Sequence, residues 1–154
     1  MRRERVVEKR YLALVHGTPR FDSDWITAPL GRSERRSDRM QTLPSGTGRE
    51  AETFYTVLER FPRFALLECR PKTGRTHQIR VHLASIEHPL VGDRIYPGRV
   101  RQPSPKDAPP AERHFLHAAG LTFAHPVSGE PLVFESAPPA DFEVWLSYLR
   151  GPKP

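Results

Sequence analysis

Cysteine is almost absent. The single Cys69 among 154 residues excludes an internal disulfide framework and suits a reducing compartment, so a cytoplasmic location is expected. Long apolar runs are missing as well. No stretch approaches the roughly 20 residues a membrane-crossing helix needs, which argues against a membrane protein. The opening Met1-Arg2-Arg3-Glu4-Arg5 is not backed by the apolar core of a secretory leader. There is no internal repeat and no low-complexity block long enough for a disordered domain, so repeat arrays and solvated tails drop out. Acidic residues are outnumbered: 24 Lys and Arg face 18 Asp and Glu, a formal net charge of +6. Arginine dominates that excess, which favours recognition of phosphate. What is present is enough for one domain of ordinary size with a real core, and the 17 prolines gather in its loops.

The densest chemistry lies in Arg70-Pro71-Lys72-Thr73-Gly74-Arg75-Thr76-His77-Gln78-Ile79-Arg80-Val81-His82-Leu83, followed by His88-Pro89-Leu90-Val91-Gly92-Asp93-Arg94-Ile95-Tyr96. Leu66 to Arg70 reads as a short half-apolar strand, Pro71 to Gly74 as a turn, and Thr76 as the N-cap of a helix. Ile79, Leu83 and Ile86 fall at the i, i+4, i+7 spacing of a buried stripe. His88-Pro89 should close the helix, because a residue before proline avoids the α region. His77 and Arg80 lie three apart on the polar flank, with Arg75 just ahead. Cationic and amide donors thus collect at the start of a packed element, an arrangement suited to an anion.

Upstream, Glu8 to Gly17 reads as a strand with Tyr11, Ala13 and Val15 on one face and Gly17-Thr18-Pro19 as its stop. Tyr11 is either a core aromatic or a site residue. Phe21 to Glu52 is polar and carries Arg32, Arg35, Arg36, Arg39 and Arg49. So long a connection is either functional or hides short strands, for instance around Trp25-Ile26-Thr27. Its arginines serve as a solvated surface or as an arm along a phosphate backbone. Ala51 to Glu59 and Phe64 to Cys69 read as antiparallel neighbours joined through Arg60-Phe61-Pro62-Arg63. Pro97 to Arg113, rich in proline and basic, reads as a flexible surface insertion. His114 to Phe123 and Leu132 to Glu135 follow as strands around a turn at Ser128-Gly129. Pro138-Pro139-Ala140-Asp141 then opens a last helix with Phe142, Trp145, Leu146 and Leu149 on one side. The expected fold class is α+β, a mixed but largely antiparallel sheet with flanking helices, with residues 1–150 as a single domain.

In order, Tyr11-Leu12-Ala13-Leu14-Val15-His16-Gly17, Ala28-Pro29-Leu30-Gly31-Arg32, Arg39-Met40, Ala51-Glu52-Thr53, Arg70 to Tyr96, and His117-Ala118 through His125-Pro126 form a familiar series. They resemble the RluA/RsuA-type RNA pseudouridine synthases, most closely the RluA branch. The resemblance covers almost the whole chain, and its most specific part runs from Gly74 to Asp93. It implies a partial pseudouridine synthase catalytic fold. It also implies an isomerase that detaches uracil from its ribose, rotates the base and rejoins it through C5, without metal or organic cofactor. The substrate would be a uridine of ribosomal or transfer RNA, flipped from its stack into a pocket. By this resemblance Tyr11 stacks on the uracil and takes part in proton removal at C5. Arg80 holds the catalytic aspartate ionised and oriented, and Leu83 walls the uracil pocket. Arg32, Arg39, Arg75, His77 and Gln78 contact the RNA strand.

One part of the family pattern is missing. The family's catalytic aspartate sits in an Arg-Leu-Asp segment followed by Thr-Ser-Gly, a few dozen residues ahead of the tyrosine strand, and no Arg-Leu-Asp occurs in this sequence. Asp22, Asp24, Asp38, Asp93, Asp107 and Asp141 match no such motif, and Asp93, after Gly92, is expected to fix a turn. The expectation is therefore the C-terminal part of a catalytic domain, truncated or split, inactive until an upstream segment or a second chain brings the aspartate. Arg80 would then be a guanidinium without its partner, and the sheet would expose a pairing edge. Two other classes compete: a non-catalytic RNA-binding module, and a phosphoryl-transfer or nuclease site built on His77, His82 and Arg80. A metal site is not expected. His77 and His82 are five apart on different helix faces, with no Cys or carboxylate to complete a ligand set.

Overall fold

Ala13-Leu14-Val15 and Phe64-Ala65-Leu66-Leu67 are apolar on both faces, as strands are when a sheet is covered on two sides. A computed structural model, which describes residues 7–100 and 104–152, places both runs at the centre of such a sheet. In chain order the elements are β1 (Glu8–His16), β2 (Ser23–Ile26), β3 (Leu30–Arg32), β4 (Met40–Thr42), β5 (Thr53–Arg60), β6 (Phe64–Pro71), α1 (Gln78–Ser85), β7 (Leu116–Ala124), β8 (Pro131–Glu135) and α2 (Ala140–Arg150). Six strands form one sheet in the order β2-β5-β6-β1-β7-β8, and every pairing in it is antiparallel. The α+β class holds, and the long polar connection does hide strands: β2, and the separate β3-β4 hairpin.

Alternation along the central strands sorts the core into two layers. Ala13, Val15, Ala65, Leu67 and Cys69 face α1 and meet Ile79 and Leu83. Leu14, Phe64 and Leu66 face the other way and meet Phe142, Trp145 and Leu146 of α2. A third cluster, with Leu30, Ala51, Val81 and Tyr96, fastens the β3-β4 hairpin to the far side of α1. The helix is thus gripped from two directions. Residues 101–103, part of the stretch read as a surface insertion, lie outside the described residues. The following segment is docked: Ala108 and Ala111 pack on the second cluster, and the Pro110 carbonyl accepts from Trp145 Nε1 at 3.0 Å.

Both ends of α1 differ from expectation. Thr76 is not its N-cap. The position before Gln78 is His77, in the left-handed region at φ 53, with no side-chain capping bond. The C-terminus closes before His88-Pro89 is reached. Glu87 turns left-handed at φ 67, its amide donates to Ala84 O (3.1 Å), and the His88 amide donates to Leu83 O (2.9 Å). This is the paired bonding of a Schellman motif, with glutamate where glycine is usual. A little further on, Gly92 has φ +80, and a Cβ there would lie 2.0 Å from the Arg113 carbonyl oxygen. No other residue fits that crossing without displacing backbone, and the crossing sets the position of Asp93.

Candidate active-site cleft

A cleft of about 320 Å³ opens between the start of β1, the turn leading into α1, and the segment entering β7. Tyr11, Arg75, His77, Gln78 and Arg80 all line it, so the structure brings together five of the eight residues singled out from sequence. Lys9, Ile79, His114 and Leu116 complete the working walls. Tyr11 stands where the β1-β7 register shifts, between Arg10 and Tyr11, and such a bulge re-aims the side chains beside it. Half-buried, it packs on the first core cluster and borders the cleft.

Arg80 is fixed from behind by Asp93. Its Nε donates to Asp93 Oδ2 and its Nη2 to Asp93 Oδ1, both at 2.9 Å, and its guanidinium lies 5.2 Å from the centre of the Tyr96 ring. Asp93 Oδ1 also accepts from the amides of Ile95 (3.1 Å) and Tyr96 (3.0 Å). The Asp93 side chain is fully buried and that of Arg80 is 11% exposed. Burial alone would push the Asp93 carboxyl up. The hydrogen bonds from Arg80 and the Tyr96 and Ile95 amides, together with the guanidinium charge, outweigh it and hold the carboxyl below the usual carboxylate range. The bond to Asp93 raises Arg80 in turn. The expectation of an unpartnered Arg80 is therefore corrected: an acid 13 residues downstream, expected only to fix a turn, both fixes the turn and neutralises the guanidinium.

The histidines divide by burial. Tyr96 Oη accepts from the Met40 amide (2.9 Å) and shares a hydrogen bond with His77 Nδ1 (2.8 Å). Desolvation, and then the nearby charge of Arg80, lower both His77 and His114, so the two cleft histidines are neutral at pH 7. His82 is fully buried, and both of its nitrogens are used: Nε2 donates to Ala28 O and Nδ1 accepts from Thr53 Oγ1, each at 2.8 Å. It therefore reaches no substrate, which removes the phosphoryl-transfer site built on His77, His82 and Arg80.

Gln78 is also a scaffold residue. Its Oε1 accepts from Thr73 Oγ1 (2.6 Å) and the Arg75 amide (3.1 Å), while its Nε2 donates to Glu52 O and Thr53 Oγ1 (2.9 Å each). All of its bonding capacity is spent, so its expected contact with RNA is replaced by a clamp on the turn. Leu83 is 0% exposed in the first core cluster and does not line the cleft. Ile79, one helical turn earlier, supplies the apolar wall instead. Arg75 donates through Nε to Glu50 O at 2.8 Å and also borders a neighbouring hollow of about 420 Å³ that Arg32 and Arg49 share. Arg39 lines neither. Its Nε is sealed from solvent without a hydrogen-bond partner, 3.9 Å from Asp38. His114 and Lys9 carry no local sequence signal: Lys9 lies on β1 and His114 in the segment just ahead of β7, and the fold brings both to the cleft. Cys69 is no nucleophile, because burial pushes its thiol up to about 12.

The family model described as RNA pseudouridylate synthase matches residues 1–85, more than half of the chain. The chain belongs to the RNA pseudouridylate synthase family. Ribosomal large subunit pseudouridine synthase D of Nitrosomonas europaea is 43% identical over 150 residues, covering 96% of this chain and 42% of that protein. An uncharacterized RNA pseudouridine synthase of Bacillus subtilis is 40% identical over 146 residues, covering 95% and 45%. Human RNA Pseudouridylate Synthase Domain Containing 4 superposes with a TM-score of 0.71 at 25% identity, over 94% of this chain and 62% of that one. The chain spans less than half the length of the curated relatives it matches. No carboxylate among the described residues of this chain lines the cleft. Asp22 pairs with Arg60, Asp141 with Arg113, Asp107 accepts from Tyr148, and Asp93 is closed behind Arg80. No three His, Cys, Asp or Glu side chains among the described residues group as metal ligands, and no described helix is long and apolar enough to cross a membrane.

Proposed function

We propose that this chain is the tyrosine-strand portion of an RNA pseudouridine synthase, residues 1–150 being one part of a single catalytic domain, and that its cleft receives a flipped uridine of ribosomal or transfer RNA. The observation that carries the reading is the make-up of the cleft. An aromatic ring (Tyr11), apolar walls (Ile79, Leu116) and a rigidly held guanidinium (Arg80) meet without a carboxylate of their own. The isomerisation breaks the bond from C1′ to N1, turns the base, joins C5 to C1′ and releases the proton on C5. Tyr11 stacks on the uracil and assists that proton transfer. The nucleophilic aspartate of the Arg-Leu-Asp segment comes from residues outside this sequence, on the same polypeptide or on a second chain. Asp93 takes Nε and Nη2 of Arg80, which leaves the Nη1 donors to hold the incoming carboxylate ionised. Arg80 is then a bridge between two acids, and Asp93 a positioning residue. Arg75 and Arg32 contact backbone phosphates, and the enzyme works in the cytoplasm, where such RNA is made.

The test is pseudouridine formation on ribosomal and transfer RNA transcripts, comparing the 154-residue chain alone with the same chain supplied with a segment containing Arg-Leu-Asp. Isomerisation is expected only in the supplied form. RNA binding without pseudouridine in that form would sink the catalytic reading and leave an RNA-binding module.

A further inference from the structure

A second pocket, of about 400 Å³, lies at the other end of β1. His16 closes it from the strand end, His88 from the turn after α1, and Arg63 from the β5-β6 hairpin. Backbone bonds lock these three segments together. The His16 amide donates to Pro89 O (2.9 Å), the Gly17 amide to Arg63 O (2.6 Å), and His88 Nδ1 to His16 O (3.0 Å). Gly17 has φ +75, and a Cβ there would sit 3.0 Å from His88 Nδ1, so glycine is what lets the imidazole lie against the strand end.

Two features point to a ligand. His16 Nδ1 is sealed from solvent and has no hydrogen-bond partner, a ring nitrogen in the pocket wall that no described group of the fold satisfies. Burial lowers His16 and so favours its neutral ring. Around it stand Arg20, Arg63 and Arg99, with Glu87 as the one acidic lining residue among those described. The guanidinium forks of Arg20 and Arg99 match phosphoryl oxygens in geometry and charge. The mechanism needs none of this. Tyr11 and His16 are five residues, roughly 16 Å, apart on one strand and face opposite layers of the core.

We infer that this pocket is a phosphoryl-binding site, separate from the uridine cleft, that takes a phosphate group carried either by the RNA strand or by a free phosphorylated small molecule. The probe is inorganic phosphate, titrated into the whole chain at constant ionic strength while the histidine ring resonances are followed by NMR, with chloride as the control. His16 signals are expected to shift saturably with phosphate and not with chloride. The affinity should fall by about tenfold or more in the double variant Arg20→Gln/Arg99→Gln, both exposed positions whose folding is checked by the remaining resonances. No saturable shift in the wild type, or an unchanged one in the variant, overturns the proposal. A second arm separates the sources. If the variant also flattens the salt dependence of RNA binding, by about 1.5 in the logarithmic slope, the phosphate belongs to RNA. If RNA binding is unchanged while inorganic phosphate is lost, it belongs to a small molecule. Neither arm depends on pseudouridine being formed, so the pocket can stand if the catalytic reading falls, and the reverse.

Discussion

Asp93→Asn should be the most informative single change in this chain. The substitution keeps size and shape, and its amide oxygen can still accept from the Ile95 and Tyr96 amides and from one nitrogen of Arg80. The other position becomes an NH₂ facing the Arg80 Nε–H, donor against donor. What is lost is the charge that balances a guanidinium only 11% exposed. Removing one partner of a buried pair costs about 3–5 kcal/mol. The surviving amide bonds and the open side of Arg80 set the expected loss at the lower end, about 3 kcal/mol. For a chain of this length that is a fall in Tm of roughly 6–12 °C.

Urea unfolding followed by circular dichroism reads this directly, and a cycle with Arg80→Met isolates the pair. With Arg80 already removed, the second substitution should cost at least about 1 kcal/mol less than in the wild type. The pH dependence gives an independent check. The folded-state pKa of Asp93 is depressed, so its contribution is present above the unfolded carboxyl value near 3.9 and is lost as pH falls through the folded one. The gap between wild type and variant should therefore persist at pH 5–8 and narrow below about pH 4. A loss under about 1 kcal/mol at pH 7, or a gap that widens in acid, would refute the account of Arg80 as a desolvated, carboxylate-held cation.

Gln78→Ala strips four hydrogen bonds and takes the side-chain acceptor from the Arg75 amide, and should cost about 2–3 kcal/mol in urea titrations; a near-neutral result would return Gln78 to the ligand contacts. Leu83→Ala empties a fully buried site and should cost about 2–5 kcal/mol, against well under 2 kcal/mol for an exposed cleft wall, as thermal melts would show. His82, buried and with a lowered pKa, stays neutral in the fold while the unfolded chain takes up a proton below about 6.5, so stability is full above that pH and declines below it, by up to about 1.4 kcal/mol per pH unit for this site. Urea midpoints at pH 7.5 and 5.5 check the sign, and a higher midpoint at 5.5 contradicts it. A peptide carrying the Arg-Leu-Asp segment, at about 100 times its Kd, should add about 2.7 kcal/mol to the stability of the wild type and markedly less to Arg80→Ala; equal gains would place its carboxylate elsewhere.

What could be read in the sequence is what local pattern carries. β1 shows its alternation in Tyr11, Ala13 and Val15, and α2 shows its stripe in Phe142, Trp145 and Leu146, because one strand or helix face repeats within a few residues. The meeting of Tyr11 with Arg75 to Arg80 was legible through the family resemblance, since no rule of spacing joins residue 11 to residue 80. Gln78 was misread for a physical reason. A glutamine beside arginines at a helix start looks like a ligand donor, and only the carbonyl of Glu52 and the hydroxyl of Thr53, 26 and 25 residues earlier, show that its amide is already spent. Leu83 was misplaced because α1 packs on the sheet along one face and on the β3-β4 hairpin along another, so being apolar did not reveal which wall it would join.

Asp93 is the deeper case. Sequence reasoning sought one acid for Arg80 and, missing the motif, expected an unpaired cation. A guanidinium has two edges that a carboxylate can engage, and in this fold the edge formed by Nε and Nη2 goes to an acid whose position is set by Gly92 and by two amides of its own turn. An Arg80 held this way needs no catalytic aspartate to remain folded in place. The Nη1 edge is left for the use proposed above. The ring of Tyr11, the neutral rings of His77 and His114 and the Nη1 donors that Asp93 leaves on Arg80 meet in a cleft without a carboxylate among its described lining residues. Lys9 and Arg75 add positive charge to its walls, so on the proposed reading a carboxylate entering beside Arg80 is held in its ionised form, the form a nucleophile requires.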